Sequence, residues 1–478
     1  MARDATRDTL DRALWLALGA VCALGALNAA LSSLWDPDLW WLLRAGEDTL
    51  REARLPRLNR YSFTAPGHPW VMHEWLLGAL YAGLVRLLGV SALALPRVFA
   101  LVTVALAVTA RGARDGGARL GCLAGLVALV VFGERFGSPR PVGVVYALVA
   151  LVALLAFERT QTPRRALFLG LVMALWANAH GSAPVGVGLL AVAAAEPGDR
   201  RWRALAALLG ALALALTPYG WGVAGLTARY LRGAPDDAVS VVHARILEWW
   251  PLWKAPLRLA SPLELMVGAL LGGWWVACLG RPRWRPRAIL GLGLLALALR
   301  HGRHLQLAGL VGLPLSVAPL AERLGLSPGE PEKALRRVGA VALALALGAW
   351  LLARGVRTEG AWTDPSGEDE AVRAMVGSLP DGARVYPALP FGGYVLYLGA
   401  PRVTVFWDSR NDCYPAGLLR EALDLNDGVL APEEARRRLE ARGTLYGVVR
   451  CGTRAERSFQ RWERLRREGG VCLYGRPR

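Results

Sequence analysis

Long apolar blocks alternate with short polar linkers over the first three quarters of the chain. A transmembrane helix needs about 20 largely apolar residues, and eleven blocks approach or reach that length. The blocks lie near residues 13–34, 91–110, 119–134, 142–158, 166–181, 183–196, 204–219, 263–280, 287–300, 304–321 and 338–355. This pattern predicts an α-helical polytopic membrane protein with about 11 spans.

One further apolar block, residues 73–89, is expected to lie along the membrane interface rather than to cross the membrane. It carries Trp75, Tyr81 and Arg86, and aromatic rings and long basic side chains are stable at the interface. Counting this block as a span would also place the arginine-rich linkers on opposite sides of the membrane. We therefore predict an interfacial helix here.

Composition and charge agree with a membrane protein. The 478 residues are 54% hydrophobic and carry 56 Lys and Arg against 38 Asp and Glu, a formal net charge of +18. The arginines concentrate in linkers between the apolar blocks, which the positive-inside rule places in the cytoplasm. These linkers are residues 111–119, 159–165, 200–203, 281–287 and 323–337. Because the charge follows membrane topology, nucleic acid is not an expected partner.

The topology that follows places the protein in the plasma (inner) membrane with a cytoplasmic N-terminus. The outer loop, residues 35–72, and the C-terminal tail then lie outside. We expect a transmembrane domain, 1–355, that includes this loop and the interfacial helix at 73–89, and a soluble extracytoplasmic domain, 356–478. The first apolar block has no small-residue cleavage site after it, so it is expected to be a retained helix.

The tail is predicted to form a small α/β domain, because short strand patterns alternate with helical ones. The strand patterns cover residues 384–387, 402–407, 445–450 and 471–474, and the helical ones 431–441 and 453–467. Asp408 and Arg410 follow the second strand and are expected to form a structural ion pair. If the tail lies outside, Cys451 and Cys472 are the most plausible partners for one disulfide, although no spacing rule requires it.

The outer loop begins with two acids that are one residue apart, in Trp35-Asp36-Pro37-Asp38. A carboxylate at the edge of the hydrocarbon is usually functional or paired, and an acid before a helix is also a common N-cap. Pro37 disfavours a helical conformation at Asp36. The sequence therefore favours Asp36 as the catalytic carboxylate and Asp38 as the cap of the next helix.

The stretch that follows this acidic pair resembles a known module. A short amphipathic helix ends near Pro56-Arg57, a Trp-Leu helix follows at Trp75-Leu76, and Leu95-Pro96-Arg97 opens the next block. This order is similar to the amino-terminal module of the GT-C membrane glycosyltransferases, which include protein O-mannosyltransferases, aminoarabinose transferases and the oligosaccharyltransferase catalytic subunit. The proline between the two acids is closer to the oligosaccharyltransferase pattern.

The whole chain also resembles a bacterial group of uncharacterised GT-C-like proteins. The motifs that carry this resemblance are Asp36-Pro-Asp38-Leu-Trp-Trp, Ser138-Pro-Arg140-Pro, Trp176-Ala-Asn178-Ala-His180-Gly, Pro218-Tyr-Gly220, Glu248-Trp249 and Asp408-Ser-Arg410. The resemblance implies an inverting glycosyltransferase that uses a carboxylate as general base. Its implied partners are a polyprenyl-phosphate-linked sugar and membrane lipid. The sugar, the acceptor and any requirement for a divalent metal stay open.

Further candidate substrate-binding residues lie at the borders of the apolar blocks: Arg140, His180, Glu248, Arg300, Arg303 and His304. Arginine at an outer border runs against the positive-inside rule. A lipid phosphate would explain Arg300, Arg303 and Arg140, and snorkelling to lipid headgroups explains them equally well.

The other two candidates also allow two interpretations each. His180 suits either a packed, hydrogen-bonded histidine or a substrate contact. Glu248 precedes Trp249 and Trp250, which suit either a sugar-stacking surface or an interfacial aromatic belt.

Two rival classes of function fit a membrane protein of this kind. A lipid-linked saccharide flippase would also use intramembrane charges, but the sequence shows no convincing inverted repeat and no matched pair of broken helices. A non-catalytic assembly protein would bind its partners through the tail. The sequence has no Cys/His metal-ligand spacing and no Ser-His-Asp arrangement with a nucleophile elbow.

Overall fold

The computed structural model describes residues 2–158, 160–233, 237–329, 332–357, 364 and 366–477. The chain forms two compact units. The first comprises Met1–Ser32, Ala94–Thr227 and Ile246–Val356, and the second comprises Ser33–Leu93, Ala228–Arg245 and Arg357–Arg478. The outer loop and the helix at 73–89 are thus grouped with the tail, whereas the sequence analysis placed them in the transmembrane domain.

Helices make up most of the described residues taken together. In chain order they are α1 Ala2–Leu31, α2 Pro37–Glu52, α3 Trp75–Leu88, α4 Ala94–Phe132, α5 Val142–Ala156, α6 Pro163–Ala179, α7 Ala183–Ala195, α8 Arg200–Ala213, α9 Gly222–Arg232, α10 Ala238–Arg245, α11 Pro256–Leu259, α12 Pro262–Leu279, α13 Arg285–Arg300, α14 Leu305–Arg323, α15 Glu332–Val356, α16 Glu368–Ser378, α17 Gly392–Gly399, α18 Ala416–Asn426 and α19 Pro432–Ala441. The strands are β1 Ala383–Pro387, β2 Val403–Val405, β3 Tyr446–Arg450, β4 Glu463–Glu468 and β5 Val471–Gly475.

The long apolar helices of the first unit agree with a multi-pass membrane protein. Each apolar block of the sequence coincides with a helix. Within the described residues, five helical segments are long and apolar enough to cross a membrane: Thr9–Leu31, Val90–Gly137, Pro262–Leu279, Gly302–Arg323 and Val338–Val356. The number of spans beyond these stays a prediction.

The longest helix, α4, covers two of the predicted apolar blocks and has a break between them. At Gly116 and Gly117 the backbone leaves the helical conformation, with φ of −140° and 84°, and the positive φ of Gly117 favours glycine. The two arms then approach closely, since a Cβ added to Gly121 would lie 2.6 Å from the Cβ of Ala113. Small residues therefore allow the two arms to pack backbone against backbone.

The arginine-rich linkers also contribute buried ion pairs to the first unit. Arg111 donates to the carboxylate of Asp115 at 2.7 Å, and Arg287 donates to Glu196 at 2.9 Å. All four side chains are at most 8% exposed. A buried arginine needs a partner, because desolvation of an unpaired charge is costly. These linker charges thus contribute to the packing of the first unit.

The second unit is built on a five-stranded sheet with the order β2-β1-β3-β5-β4. β1 runs parallel to β2 and β3, whereas β5 runs antiparallel to β3 and β4. The predicted α/β domain with a small sheet is confirmed. A disulfide joins Cys451, just after β3, to Cys472 within β5.

The predicted helix at 453–467 is wrong. This segment forms a short 3₁₀ turn at Arg454–Phe459 and then the edge strand β4. All six residues of β4 are exposed, so the strand lacks the apolar alternation by which a half-buried strand is recognised. Charged residues on an exposed edge also disfavour pairing with other chains.

The outer loop is attached to the other edge of this sheet. Ser62 forms a parallel bridge with Val405 of β2. The amide of Phe63 donates to the Val405 carbonyl at 3.1 Å, and the Val405 amide donates to Tyr61 at 3.0 Å. The loop thus covers an edge that would otherwise expose unpaired backbone groups.

A buried ion pair between Asp408 and Arg410 follows β2 in the chain. Arg410 donates to both carboxylate oxygens of Asp408, at 2.8 and 2.6 Å, and to the side-chain oxygen of Asn59 in the outer loop at 3.2 Å. Its guanidinium lies over the rings of Tyr61 and Trp70, at 4.9 and 4.7 Å. The expected pair of Asp408 and Arg410 is confirmed, and it connects the outer loop to the tail.

We predict that Arg410→Met destabilises the second unit by about 3–5 kcal/mol, because it leaves the buried Asp408 carboxylate unpaired. Pulse proteolysis of the purified full-length protein across a denaturant series measures this loss. Arg442→Met is the matched control: Arg442 is 43% exposed and pairs with Glu421, so its removal should cost less than about 1 kcal/mol. Equal effects of the two variants would contradict the prediction.

Candidate active site

The two acids of the outer loop lie at the start of α2. Asp36 is the N-cap, with an extended backbone at φ −153°, and its Oδ1 accepts a hydrogen bond from the amide of Asp38. That bond is 2.9 Å long. Pro37 occupies the first helical position, where the missing N–H leaves no donor unsatisfied.

The prediction that Asp38 caps this helix is therefore wrong. Because proline is well suited to the first position of a helix, α2 begins two residues earlier than a cap at Asp38 predicts, and the cap falls on Asp36. Asp38 lies in the first turn of the helix, and its Oδ1 accepts a hydrogen bond from the indole of Trp41 at 3.4 Å. Both acids are partly exposed.

Aromatic rings enclose the helix start. Trp35 packs edge-on against Tyr394 of α17, with ring centroids 5.3 Å apart, and Trp40 lies 4.7 Å from the same ring. Trp40 is buried at 2% exposure. The residues just before and just after the acidic pair are thus fixed by the tail domain.

Further along α2, sequence analysis missed a buried acid. Asp48 is 2% exposed and accepts hydrogen bonds from Arg51 at 2.6 Å and from the hydroxyl of Tyr61 at 2.8 Å. Arg60 also lies 3.1 Å from this carboxylate. The i,i+4 spacing of Arg44 and Asp48 is the one local signal for this cluster, and the cluster joins the end of α2 to the loop that follows.

Glu47, which precedes Asp48 in α2, is a second acid whose pKa is shifted by its surroundings. Burial raises the pKa of Glu47 above its ordinary value, and the charge of Arg44 and a hydrogen bond from Tyr397 act in the opposite direction. A carboxyl group with a raised pKa is a candidate for proton transfer. No pattern in the sequence distinguishes Glu47 from a surface acid of α2.

In the first unit, three candidate residues from different parts of the chain meet. Glu248 accepts a hydrogen bond from Arg303 at 2.8 Å on one oxygen and from Arg140 at 3.2 Å on the other. The guanidinium of Arg303 also lies 4.4 Å from the centre of the Trp249 ring. The two arginines and one carboxylate form a partly buried cluster with an excess of positive charge.

Two histidines complete this cluster. The rings of His301 and His304 both pack edge-on against Trp249, at 5.5 and 6.0 Å. The Nδ1 of His301 lies 2.8 Å from the carbonyl oxygen of Trp249, which can only accept, so this nitrogen carries the proton. We call Arg140, Glu248, Trp249, His301, Arg303 and His304 the arginine–tryptophan cluster.

The charges of the cluster set its protonation states. Burial acts to raise the pKa of Glu248, but the charges of Arg303 and Arg140 outweigh it and hold the pKa below its ordinary value. Burial lowers the pKa of His301, and Arg300 and Arg303 add to this effect. At neutral pH, Glu248 is therefore ionised and His301 is neutral.

The other two candidate substrate-binding residues, Arg300 and His180, are not among the residues that form this cluster. The side chain of Arg300 at the end of α13 is exposed, and no hydrogen bond or ion pair described for this chain joins it to Glu248. His180 ends α6, and its Nδ1 accepts a hydrogen bond from the Ser182 amide at 3.0 Å. His180 thus has the packed, hydrogen-bonded setting that was one of its two expected roles.

An apolar groove lies on the same unit, between α4, α12 and α14. It has a volume of about 500 Å³. It is lined by Leu126, Val127, Val130, Val131, Leu263, Met266, Val267, Leu270, Leu271, Trp274, Leu313, Ser316 and Leu320. Next to Leu263, the buried Glu264 accepts hydrogen bonds from Arg135 at 3.2 Å and Gln306 at 3.2 Å. The groove suits a hydrocarbon chain, and Arg135, 44% exposed, supplies a positive charge near it.

A metal requirement stays open. Cys451, Cys472 and Glu456 lie within reach of one another, but the disulfide uses both sulfurs, so this group is not a metal site. The carboxylates of Asp36 and Asp38 are hard oxygen ligands of the kind that Mg²⁺ and Mn²⁺ prefer.

The chain is similar in fold to solved structures of membrane glycosyltransferases. The archaeal oligosaccharyltransferase AglB from Archaeoglobus fulgidus, in complex with an inhibitory peptide and a dolichol-phosphate, aligns with a TM-score of 0.60 at 12% identity, over 91% of this chain and 69% of that chain. ArnT from Cupriavidus metallidurans aligns in the apo state with a TM-score of 0.53 at 12% identity, over 98% of each chain. ArnT bound to undecaprenyl phosphate aligns with a TM-score of 0.52 at 12% identity, over 97% of each chain.

No protein-family model and no curated protein matches the sequence. At such low identities the structural likeness establishes the fold. The oligosaccharyltransferase and the aminoarabinose transferase are both GT-C membrane glycosyltransferases, so the expected GT-C fold is confirmed.

Proposed function

We propose that this chain is an integral membrane glycosyltransferase that moves a sugar from a polyprenyl-phosphate donor to an acceptor on the outer side of the membrane. The observation that carries the proposal is an acidic turn, Asp36-Pro37-Asp38, at the start of α2 in a chain with the fold of lipid-dependent sugar transferases. The structures it resembles hold a dolichol-phosphate in one case and undecaprenyl phosphate in another.

The reaction is a single displacement with inversion. The acceptor hydroxyl attacks the anomeric carbon, its proton passes to a carboxylate, and the bond between that carbon and the phosphate oxygen breaks. Polyprenyl phosphate leaves with the negative charge. The enzyme must therefore supply a base near the acceptor and positive charge near the leaving group.

We assign the base to Asp38 and a structural role to Asp36. The sequence favours the opposite assignment, but Asp36 uses one oxygen to cap α2, which ties its carboxylate to the backbone of the helix start. Asp38 lies in the first turn of the helix, where its Oδ1 accepts a hydrogen bond from the Trp41 indole at 3.4 Å. Since capping occupies Asp36, Asp38 is the carboxylate of the turn that we propose as the base.

The arginine–tryptophan cluster is proposed to bind the donor phosphate, and the apolar groove its hydrocarbon chain. The single negative charge of Glu248 offsets one of its two arginine partners, which leaves a net positive charge for an anion. One guanidinium group can bind two phosphate oxygens through two parallel hydrogen bonds. Of the two interpretations of Trp249 that the sequence leaves open, we propose the sugar-stacking one.

The orientation and the full set of eleven spans predicted from the sequence belong to the same proposal. The disulfide of the tail supports the outside location, because disulfides persist in oxidising compartments. A base on the outer loop then meets an acceptor that approaches from outside. His180 and Arg300 are retained as candidate substrate contacts.

The first prediction from this mechanism separates the two acids. Asp38→Asn should lower the rate of polyprenyl phosphate release about 10²–10⁴-fold, the typical contribution of a general base. Asp36→Asn should retain most activity, because asparagine caps a helix as well as aspartate does. Purified protein in detergent, supplied with a pool of radiolabelled lipid-linked sugars, provides the measurement.

The other outcomes of this experiment are equally informative. If Asp36→Asn loses transfer and Asp38→Asn keeps it, Asp36 is the base. If neither variant loses transfer, the carboxylate mechanism is wrong. If wild-type protein moves labelled lipid across a vesicle membrane without releasing polyprenyl phosphate, the chain is a flippase.

A second prediction concerns the phosphate. Arg303→Gln should raise the KM for the lipid donor about tenfold, because it removes a charge-assisted contact of roughly 1.5–3 kcal/mol. Glu248→Gln should lower that KM, because it removes the competing anion from Arg303 and Arg140. Arg283→Gln is a control, since Arg283 is 64% exposed and pairs with Glu322. A lower KM for Arg303→Gln would contradict the role of the cluster.

A third prediction tests the orientation. Single cysteines at the exposed positions Pro66 in the outer loop and Val429 in the tail should react with a membrane-impermeant maleimide added to intact cells. A cysteine at the exposed Pro282, between α12 and α13, should react only after permeabilisation. The native free cysteines are buried and give little background. Labelling of positions 66 and 429 only after permeabilisation would show that the orientation is the reverse of the predicted one, and it would contradict the proposed mechanism.

A further inference from the structure

We propose that the tail domain positions the acidic turn that carries the proposed base, and that Gly393 and Ser409 are the positioning residues that hold the backbone of Pro37. This inference rests on the proposed function for its kinetic part. Its structural part concerns how the start of α2 is restrained, and it can be measured whether or not the chain transfers sugar.

The first contact is a backbone packed against a backbone. A Cβ added to Gly393 would lie 2.2 Å from the carbonyl oxygen of Pro37 and 3.4 Å from the amide nitrogen of Trp41. A real Cβ cannot occupy such a position, so any larger residue must push α17 and the start of α2 apart. Gly393 lies inside the helix α17. Glycine is therefore required for space at this position and not for an unusual backbone angle.

The adjacent glycine fixes α17 on its other side. A Cβ on Gly392 would lie 2.9 Å from the Cα of Asp408. Asp408 itself is held by Arg410 in the buried ion pair. The two glycines thus place α17 between the acidic turn and the most firmly buried charges of the tail.

The second contact is a hydrogen bond from the segment that carries this ion pair. The hydroxyl of Ser409 donates to the carbonyl oxygen of Pro37 at 3.3 Å. Ser409 lies between Asp408 and Arg410 in the chain, so its position follows from the ion pair. The peptide that separates the two acids is consequently touched by α17 and by the loop after β2.

The third contact is aromatic. Tyr394 follows Gly393, and its ring packs against Trp35 on one side of the acids and Trp40 on the other. Its hydroxyl accepts a hydrogen bond from Arg373 at 3.1 Å. Misplacement of a reacting group by about 1 Å can cost about a hundredfold in rate, so these restraints matter directly for a base in this turn.

Gly393→Ala is the decisive variant, with Gly417→Ala as its matched control. A Cβ on Gly417 meets no atom within 4 Å, and both glycines lie in short helices of the tail. We expect kcat to fall about ten- to a hundredfold in Gly393→Ala with the donor KM unchanged. Hydrogen exchange should accelerate in the peptide covering residues 35–43, and Gly417→Ala should match wild type in both measurements.

Two milder variants keep the test valid if Gly393→Ala does not fold. Ser409→Ala removes only the hydrogen bond to Pro37 and should lower kcat severalfold with unchanged KM. Tyr394→Phe keeps the ring against Trp35 and Trp40 and should retain activity, whereas Tyr394→Leu should lose it.

Three results would overturn the proposal. One is wild-type exchange of residues 35–43 in both Gly393→Ala and Ser409→Ala. Another is an acceleration spread evenly over the tail, which would indicate a merely structural role. The third is a change in KM without a change in kcat. If wild-type protein transfers no sugar while residues 35–43 exchange faster in Gly393→Ala, the proposed function fails and the positioning role stands.

Discussion

The buried guanidinium of Arg410 is the constraint on which the second unit depends. Its side chain is 0% exposed, and a charge in such a place is stable only if it is paired with an opposite charge. The partners of Arg410 come from two distant segments: Asp408 from the tail and Asn59 from the outer loop. Tyr61 and Trp70 of the loop add their ring faces. Separation of the loop from the tail would therefore remove the Asn59 hydrogen bond and both ring contacts from this buried guanidinium.

Features that depend on local sequence were predictable, and those that depend on partners far along the chain were not. The apolar blocks correspond to helices, since length and hydropathy are local properties. The disulfide between Cys451 and Cys472, 21 residues apart, is a pairing that no spacing rule in the sequence requires. The strand β4 was missed because an edge strand exposed on both faces carries no apolar alternation.

The candidate sites show the same division. The acids Asp36 and Asp38 were identified from their place at the end of an apolar block, but the cap was assigned to the wrong one, because proline at the first helical position moves the helix start. Arg140, Glu248 and Arg303 were each identified from sequence, yet Glu248 lies 108 residues from Arg140 and 55 from Arg303. Nothing local in the sequence indicates that these charges neutralise one another.

The two glycines of α17 lie between the acidic turn and the buried ion pair, since Gly393 meets Pro37 and Gly392 meets Asp408. A helix start is the least restrained part of a helix, because its first amides have no partners within the helix. An acid placed there is useful for catalysis only if something outside the helix fixes its backbone. In this chain the Pro37 carbonyl is met by Gly393 and by the Ser409 hydroxyl, and Ser409 is held by the same ion pair that joins the loop to the tail. The buried Arg410 is paired with Asp408, and Ser409 between them donates to the Pro37 carbonyl. Together with the contact of Gly393, this hydrogen bond restrains the backbone between the two acids.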